Sequence, residues 1–532
     1  MSVNWNLKTW RTYWLVRIFV VLAGIGVLFA FYSANADINP PGFYVDESAI
    51  SYNAYLVAQT GAGESGVKFP LFFPVYTEVF TQYANPTQIY LLAAVFKIFG
   101  PSILAARLTA SASVFFACIL LGLLARRVTK NRSAGAIVFG LALTAPWLFE
   151  IGRVVLETFL YPAIVTTLLW SIFRVSKKSS WSYLDSILIA AALALTTYSY
   201  TIGRALGPLL AGGLILFAID KTRIVSVIKV WTIYLLTLIP LIVYLNQNPE
   251  LSLRFKTLTY LRPENSFTES AGEFIYRFTQ DLNPLTMLLS GDINPRHHLP
   301  GSGGSFLLGT FILALIGIGV IVIRHRRSSW WLYIIFGLLA SLVPGALTVD
   351  EFHTLRMIGY PVFLLMLTIP ALEWLLAADV QGLGSKDAKQ VSAGTAANDE
   401  RDRQDKWHFA KLAACASLLT VTAAQSVFFF FTYQRTGMNR GEYFDAAYQK
   451  AYKRAVGMTN RPIYLVDGYW GPAYVHAYWY ATLEGRGTDE FVHPAYGEAA
   501  PAGSIVLSSE RSCTQCLLLS REGEYIVYMP LE

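Results

Sequence analysis

Long apolar stretches recur along almost the whole sequence and constrain its fold more than any other feature. Only 14% of the residues are charged, whereas soluble proteins carry about 25%. Because about twenty apolar residues cross a bilayer as a helix, we predict a mainly α, polytopic helical membrane protein. The eleven predicted transmembrane helices are residues 14–33, 103–125, 133–149, 156–173, 182–199, 203–219, 226–245, 305–323, 329–348, 357–378 and 409–431.

The basic residues between these spans predict the orientation. Cytoplasmic loops are enriched in Lys and Arg, so we expect a cytoplasmic N-terminus and an extracytoplasmic C-terminal region. The net charge of +7 follows from this distribution, and we expect no nucleic-acid partner. The first apolar run has no small-residue cleavage site after it and is interpreted as a retained span. The basic clusters lie at Lys8 and Arg11, 125–132, 174–178, 220–223, 324–327 and 380–411.

The segments outside the spans predict the domain organisation. Two stretches of the first outer loop, ESAISYNAYLVAQTG and PTQIYLLAAVFKIFG, are typical of amphipathic helices on a membrane surface. RPIYLVDGY, GSIVLSS and EYIVYMPLE predict strands, and GPAYVHAYWYATLEG predicts a helix, in a small C-terminal α/β domain. The predicted units are a transmembrane module at 1–379 with outer loops at 34–102 and 246–304, a disordered cytoplasmic linker at 380–408, the last span at 409–431 and the extracytoplasmic domain at 432–532.

The chain has four cysteines. Cys118 and Cys415 fall in apolar runs and are interpreted as packing residues. Cys513 and Cys516 form a single CTQC motif. For this motif a short-range disulfide, two free thiols and half of a metal site remain alternatives.

Ionisable residues collect on the outer side of the predicted topology. Such residues near membrane depth are costly, and they usually mark either a functional site or a structural bridge. The five sets are Asp46 and Glu47; Arg153 and Glu157; Arg204; His297 and His298; and Asp350, Glu351, His353 and Arg356.

These residue types suit one class of chemistry. Carboxylates deprotonate hydroxyl groups or hold a divalent cation, and arginines bind a phosphate and stabilise it as a leaving group. Together they suit sugar transfer from a lipid-linked phosphate. Each set also has a structural interpretation: a helix cap for the acidic pair, a local salt bridge for Arg153 and Glu157, and contact with lipid headgroups for Arg204. His297 and His298 would be ordinary loop residues, and the stretch VDEFH would be a solvated turn.

The stretch GFYVDESAISYNAYLVAQTG resembles the first-loop signature of GT-C membrane glycosyltransferases of the dolichyl-phosphate-mannose protein mannosyltransferase (family 39-like) and aminoarabinose transferase group. That signature is an acidic pair after the first span, followed by a helix rich in Tyr and Asn. APWLFEIGRVVLE, YSYTIGRALGPL and LTVDEFHTLRMIGYP are similar to later segments of the group, in the same order. The chain departs from the pattern in FTQYANPTQIY, where members often have a Lys-Pro-Pro run.

The resemblance implies a GT-C-like fold and a glycosyltransferase that moves a hexosyl or pentosyl group from a polyprenyl-phosphate donor to an acceptor hydroxyl at the outer face, with inversion. Asp46 would be the catalytic carboxylate, as a general base or as the ligand of a divalent metal ion, and Glu47 would support it. Arg204, Arg356 and Arg153 would bind the donor phosphate, and Glu157, His297, His298 and His353 would contact or orient the acceptor.

Two other functions remain open, a flippase or transporter of lipid-linked glycans and a polymerase of such glycans. A flippase predicts charges deep within the spans along a path through the membrane. The middle parts of the predicted spans are almost free of charge, which favours an enzyme at the interface. The implied partners are a polyprenyl-phosphate sugar donor, a glycan, lipid or protein acceptor, and membrane lipid. The resemblance favours the cell membrane as the location, and the endoplasmic reticulum, with the same topology, is the alternative.

Overall fold

The computed structural model describes residues 7–76, 82–377, 395–468, 472–495, 497–510 and 512–531. Within these ranges the chain forms nineteen α-helices and seven strands, so the predicted mainly helical fold is confirmed. The helices are α1 (Leu7–Tyr32), α2 (Val45–Thr60), α3 (Pro86–Phe99), α4 (Ile103–Thr129), α5 (Arg132–Leu143), α6 (Pro146–Ile151), α7 (Tyr161–Val175), α8 (Tyr183–Ser199), α9 (Gly203–Gly213), α10 (Lys221–Gln247), α11 (Leu253–Leu258), α12 (Phe267–Asp281), α13 (Leu308–Arg324), α14 (Ser329–Ala340), α15 (Val343–Ala346), α16 (Tyr360–Leu376), α17 (Thr395–Thr436), α18 (Tyr448–Val456) and α19 (Tyr474–Glu484). The strands are β1 (Phe73–Val75), β2 (Gln82–Ala84), β3 (Ile463–Val466), β4 (Phe491–Val492), β5 (Ile505–Ser508), β6 (Cys516–Glu522) and β7 (Tyr525–Pro530).

Each of the eleven predicted spans overlaps a helix, in chain order α1, α4, α5, α7, α8, α9, α10, α13, α14, α16 and α17. The spans predicted at 133–149 and 329–348 also overlap the short helices α6 and α15. In five places a helical stretch is long and apolar enough to cross a bilayer, which makes this a membrane protein. The other six helices are apolar but shorter, so their crossing of the membrane stays a prediction. The five long stretches are Leu15–Tyr32, Ile103–Thr129, Lys221–Gln247, Ser329–Ala346 and Asp402–Phe444.

Prolines shorten two of the predicted spans. The span predicted for 133–149 ends as α5 at Leu143, and the chain restarts as the short helix α6 with Pro146 in its first turn. The span predicted for 156–173 begins only at Tyr161, again with a proline in the first turn. Proline has no N–H to donate and disfavours a helical residue before it, so a new helix begins there. The non-helical segment 152–160 therefore lies between α6 and α7, and it carries Arg153 and Glu157.

The predicted linker at 380–408 differs from the structure in its second part. Residues 378–394 lie outside the described part of the chain, but α17 begins at Thr395 and continues to Thr436. Residues 395–408 are therefore helical, since Ala, Glu, Arg, Gln and Lys favour helix. An ion pair of 2.6 Å between Lys406 and Asp402, one turn apart, supports this part of the helix.

The C-terminal region is a small α/β unit, as predicted. Its strands form one mixed sheet in the order β4-β3-β5-β7-β6, in which β3 is parallel to β4 and β5, and β7 is antiparallel to β5 and β6. The predicted strands correspond to β3, β5 and β7 and the predicted helix to α19, whereas β4 and β6 were not predicted. Just before β6 the structure joins Cys513 and Cys516 in a disulfide, while Cys118 and Cys415 are free and buried.

The two helices predicted in the first outer loop are present as α2 and α3. Residues 47–54 of α2 are all buried, because α3 and α19 pack against this helix. At the start of α2, Phe43 stacks on Trp479 of α19 with 5.6 Å between ring centroids. The C-terminal domain therefore covers the first outer loop and fixes the position of α2.

Candidate functional site

A cavity of about 1050 Å³ lies where the first outer loop, the second outer loop and the segment after α15 meet. We call it the outer-loop cavity. Six of the nine residues predicted as catalytic, phosphate-binding or orienting groups line it. They are Asp46, Glu157, Arg204, His297, His353 and Arg356. The cavity also contains four charged groups outside that set, Asp292, Arg296, Asp350 and Glu351.

Asp46 reaches the cavity from the first turn of α2, where a carboxylate is favoured by the exposed N–H groups of the helix. Its Oδ1 accepts a hydrogen bond of 2.6 Å from the Tyr76 hydroxyl. Tyr76 has φ +63°, a backbone conformation that residues other than glycine seldom adopt. Such conformations concentrate at functional sites. The tyrosine thus fixes the orientation of the carboxylate at the edge of the cavity.

Glu47 does not line the cavity, although it follows Asp46 in the sequence. Its carboxylate accepts two hydrogen bonds from Arg107, of 3.0 and 2.8 Å, and both side chains are fully buried. It also accepts the backbone N–H groups of Tyr44 and Val155, each at 3.0 Å. Glu47 therefore ties the start of α2 to α4 and to the segment before α7. The predicted catalytic role for Glu47 is replaced by this structural one.

Glu157 lies in the cavity wall and is oriented by Asn85, the residue before α3. One carboxylate oxygen accepts the Asn85 backbone N–H at 2.5 Å, and both oxygens accept the Asn85 side-chain amide at 3.1 Å. The predicted i,i+4 salt bridge to Arg153 is absent from the ion pairs among the described residues. These contacts fix the orientation of the Glu157 carboxylate in the cavity wall.

Three arginines bring positive charge to the cavity. Arg204 lies over the ring of Phe72 at 4.9 Å, and Arg296 lies over the ring of Tyr44 at 4.4 Å. Arg356 forms an ion pair with Asp350, and its side chain is only 7% exposed. Within the described part of the chain its Nη1 has no hydrogen-bond partner. An arginine held this way offers donors to an anion without having to be ordered first.

Arg153 and His298 lie outside the cavity, so the structure does not bring them to the other predicted residues. Arg153 donates to the carbonyl oxygens of Tyr32 and Ala34 at 3.3 and 2.5 Å, which satisfies acceptors at and just after the end of α1. His298 is buried and bonds to Glu150 at 2.6 Å and to the Gly303 carbonyl at 2.7 Å. Both residues hold neighbouring loops in place.

His297 and His353 lie together in the cavity wall, with ring centroids 4.5 Å apart. His297 Nδ1 is 3.0 Å from Asp292 Oδ2. Burial would raise the pKa of Asp292, but the hydrogen bond and charge of His297, together with the charge of His353, hold that pKa below its usual range. Burial lowers the pKa of His353 well below 6.5, and the charges of His297 and Arg356 lower it further. His353 is therefore a neutral imidazole near pH 7.

Four residues that line the cavity or bond to a predicted site residue were not predicted from the sequence. They are Tyr76, Arg107, Asp292 and Arg296. Arg107 had a signal, because a lone arginine inside an apolar run needs a buried partner. Asp292 and Arg296 stand in the stretch GDINPRHH close to the predicted histidines, where a charged run could have been read as one unit. Tyr76 had no signal, because its contact with Asp46 depends on the path of the loop.

The predicted metal ligand Asp46 has no second and third ligand around it in the described residues. Among the described residues, three potential metal ligands lie together elsewhere in the cavity wall, and Asp46 does not belong to this group. They are Asp292, His297 and His353. A metal ion at Asp46 therefore stays a prediction without support from neighbouring side chains.

No protein-family model and no curated protein sequence matches the chain. Two solved structures are similar to it over nearly its full length. ArnT, the aminoarabinose transferase, from Cupriavidus metallidurans in the apo state is 14% identical with a TM-score of 0.57, and the match covers 97% of this chain and 98% of ArnT. The chain therefore has the fold of ArnT. ArnT bound to undecaprenyl phosphate is 13% identical with a TM-score of 0.53, over the same shares of the two chains. At this identity the likeness shows the fold, which confirms the predicted GT-C-like architecture.

Proposed function

We propose that the chain is a membrane glycosyltransferase that moves a sugar from a polyprenyl-phosphate donor to an acceptor hydroxyl at the outer face of the membrane. The observation that supports this most is the composition of the outer-loop cavity. It brings the carboxylates of Asp46 and Glu157 and the guanidinium groups of Arg204, Arg296 and Arg356 around one volume. The fold that carries this cavity is also the fold of ArnT, which binds undecaprenyl phosphate.

The arginines define the donor side of the proposed site. A sugar linked to a polyprenyl phosphate carries its negative charge on the phosphate, next to the bond that must break. Arg356 is buried and fixed by Asp350, so it stabilises the charge that grows on the leaving phosphate without rearranging. Arg204 and Arg296 are held over aromatic rings and supply further positive charge to the same volume.

Asp46 defines the acceptor side. Its carboxylate takes the proton of the acceptor hydroxyl as the oxygen attacks the anomeric carbon. The bond between that carbon and the phosphate oxygen breaks, and the electron pair leaves with the polyprenyl phosphate. Attack from the face opposite the phosphate inverts the anomeric configuration. Glu157 accepts a hydrogen bond from the acceptor or the sugar and orients it.

The proposal is tested with the purified full chain in proteoliposomes. Polyprenyl-phosphate sugars with a radiolabelled sugar are supplied together with an envelope extract as the source of acceptors. We expect label to leave the polyprenyl-phosphate donor, free polyprenyl phosphate to appear, and the labelled product to identify the acceptor class. If the intact donor instead moves between leaflets with no cleavage of the sugar–phosphate bond, the chain is a flippase and the proposal is wrong.

A further inference from the structure

Three potential metal ligands meet in the wall of the outer-loop cavity, from two segments far apart in sequence. Asp292 and His297 come from the second outer loop, and His353 comes from the segment after α15. One ligand atom from each residue lies within 4.8 Å of the other two. We call these residues the histidine cluster. From this geometry we infer that the histidine cluster binds a divalent transition metal of the zinc type.

The ligand chemistry selects this class of metal. Two imidazoles and one carboxylate suit zinc and neighbouring first-row metals, whereas calcium and magnesium prefer oxygen ligands alone. Three protein ligands also leave a coordination position open, as in catalytic rather than structural zinc sites. The carboxylate of Asp292 would partly neutralise the charge of the metal ion. The positive charge of nearby Arg356 is offset by its ion pair with Asp350.

A buried nitrogen in the cluster needs a partner. His353 Nδ1 has no hydrogen-bond partner among the residues that the structure describes. A buried polar atom left unpaired costs free energy, which a metal ion at this position would recover.

The surroundings of Asp292 hold its carboxylate in a fixed orientation. Its Oδ2 accepts the backbone N–H and the hydroxyl of Thr354, both at 2.8 Å, and its Oδ1 accepts the Asn294 backbone N–H at 2.9 Å. Hydrogen bonds of this kind orient the ligands of metal sites. Thr354 directly follows His353, so one segment supplies both a ligand and the group that orients another ligand. Asp292 is only 4% exposed, and all three residues of the cluster line the outer-loop cavity.

This inference rests on the proposed function for its role in the reaction. All three cluster residues line the cavity together with Arg296 and Arg356. Held by Asp292, His297 and His353, the ion would add positive charge on the donor side of the cavity, beside the charges of Arg296 and Arg356. The metal site and the sugar transfer are nevertheless measured separately.

The test uses the full chain in detergent, stripped of metal with a chelator and titrated with Co²⁺ as a spectroscopic substitute for Zn²⁺. We expect one Co²⁺ per chain with visible d–d bands, displaced by Zn²⁺. His297→Gln and His353→Gln lose the bands. Thr354→Val, which removes one hydrogen bond to Asp292, weakens binding about 10- to 100-fold. The control His325→Gln changes a histidine that does not line the cavity and keeps wild-type binding.

The results distinguish the proposed metal site from the proposed sugar transfer. Size-exclusion profiles and thermal unfolding show which variants are folded, and Asp292→Asn serves as a ligand variant of nearly unchanged shape. A wild-type chain that binds no Co²⁺, or a folded His353→Gln variant that binds it like wild type, overturns the metal site. Metal binding without any sugar transfer from the donor panel overturns the proposed function and leaves the site standing.

Discussion

At the scale of single residues, Asp46 and Glu47 are neighbours on α2 but have different surroundings. Successive side chains on a helix point about 100° apart, so one faces the cavity while the other faces α4. Asp46 meets the Tyr76 hydroxyl, and Glu47 meets Arg107, which lies 60 residues further along the chain. We therefore expect substitutions at the two positions to separate activity from stability.

Glu47→Gln is expected to destabilise the protein strongly. It leaves the buried Arg107 guanidinium without its counter-charge, and breaking a buried pair from one side costs about 3–5 kcal/mol. Thermal unfolding in detergent measures the effect. The control Glu490→Gln breaks the partly exposed pairs with Arg461 and Arg486 and is expected to cost about 0–1 kcal/mol. A Glu47→Gln variant that unfolds at the wild-type temperature contradicts the structural role.

Arg356→Gln is expected to lower the rate of sugar transfer. It removes a buried charge from the leaving phosphate, and losing one such fixed donor typically costs about 10²–10³ in kcat. Initial rates measured over a range of donor concentrations separate kcat from KM. Arg486→Gln, in the C-terminal domain and outside the cavity, is the matched control. Unchanged kcat and KM in Arg356→Gln would show that this arginine does not contact the donor.

The residue types of the cavity could be predicted from sequence, but not which members face it. Charged residues near membrane depth gave the signal, and six of nine predicted residues line one volume. Glu47, Arg153 and His298 carry the same signal because buried structural ion pairs and hydrogen bonds use the same side chains. Only their partners distinguish them. These partners are Arg107, the carbonyl groups at the end of α1, and Glu150.

At the scale of elements, the C-terminal domain holds the start of α2. Asp445 accepts the Val45 backbone N–H at 2.9 Å, and His476 bonds to Ser48 at 2.8 Å. Asp445 also lies 3.2 Å from His476 and accepts the Tyr525 hydroxyl at 3.0 Å. The domain thereby fixes the first turn of α2, from which Asp46 reaches the cavity.

Asp445→Ala is expected to loosen the first turn of α2. It removes the acceptor of the partly buried Val45 N–H group, at a cost of about 1–3 kcal/mol. We expect amide hydrogen exchange at residues 45–48 to become about 5- to 100-fold faster, with little change in α4. The matched control Asp489→Ala changes an exposed carboxylate of the same domain. Unchanged exchange at residues 45–48 in Asp445→Ala would mean that the domain does not restrain this helix.

Asp281, at the end of α12 in the second outer loop, gives the protein a pH dependence of stability. The side chain is 2% exposed, and burial raises its pKa to about 7 from 3.8. The folded state then binds the proton more tightly than the unfolded state, so stability falls as the pH rises from about 4 to 7. We expect Asp281→Asn to unfold a few degrees higher than wild type at pH 8 and to differ little at pH 5.

Thermal unfolding of both proteins between pH 5 and pH 8 measures this effect. Asp37→Asn, at an exposed position in the first outer loop, is the control and is expected to follow the wild-type curve. If the unfolding temperatures of wild type and Asp281→Asn change in parallel with pH, Asp281 is not responsible for the pH dependence of stability.

The sequence predicted the existence of most helices but not their ends or the small strands. Long apolar runs are a strong signal of helices, because inside a bilayer every backbone N–H and C=O group needs a hydrogen-bond partner within the protein. The ends depended on local chemistry, as at Pro146 and Pro162, where a new helix begins inside an apolar run. The strands β1, β2 and β4 have only two or three residues each, too few for a periodic pattern.

At the scale of the whole molecule, the cavity is lined by several segments far apart in the chain, including the segment that carries Glu157 and the start of α9 with Arg204. The first outer loop brings Asp46, the second brings Asp292 and Arg296, and the segment after α15 brings His353 and Arg356. The sequence predicted that such residues share one side of the membrane, because topology alone sets that. Their meeting in one volume depends on how the helices pack, which no local pattern encodes.

The central claim is that Asp46 performs the chemistry in this cavity, and the rate of sugar transfer by Asp46→Asn tests it most directly. The variant is compared in proteoliposomes with wild type and with Asp37→Asn, whose exposed carboxylate belongs to the same loop but does not line the cavity. The account predicts that Asp46→Asn folds like wild type, binds the proposed polyprenyl-phosphate donor with unchanged affinity, and transfers sugar at least about 100-fold more slowly, while Asp37→Asn transfers normally. A folded Asp46→Asn variant that transfers sugar at the wild-type rate would contradict it.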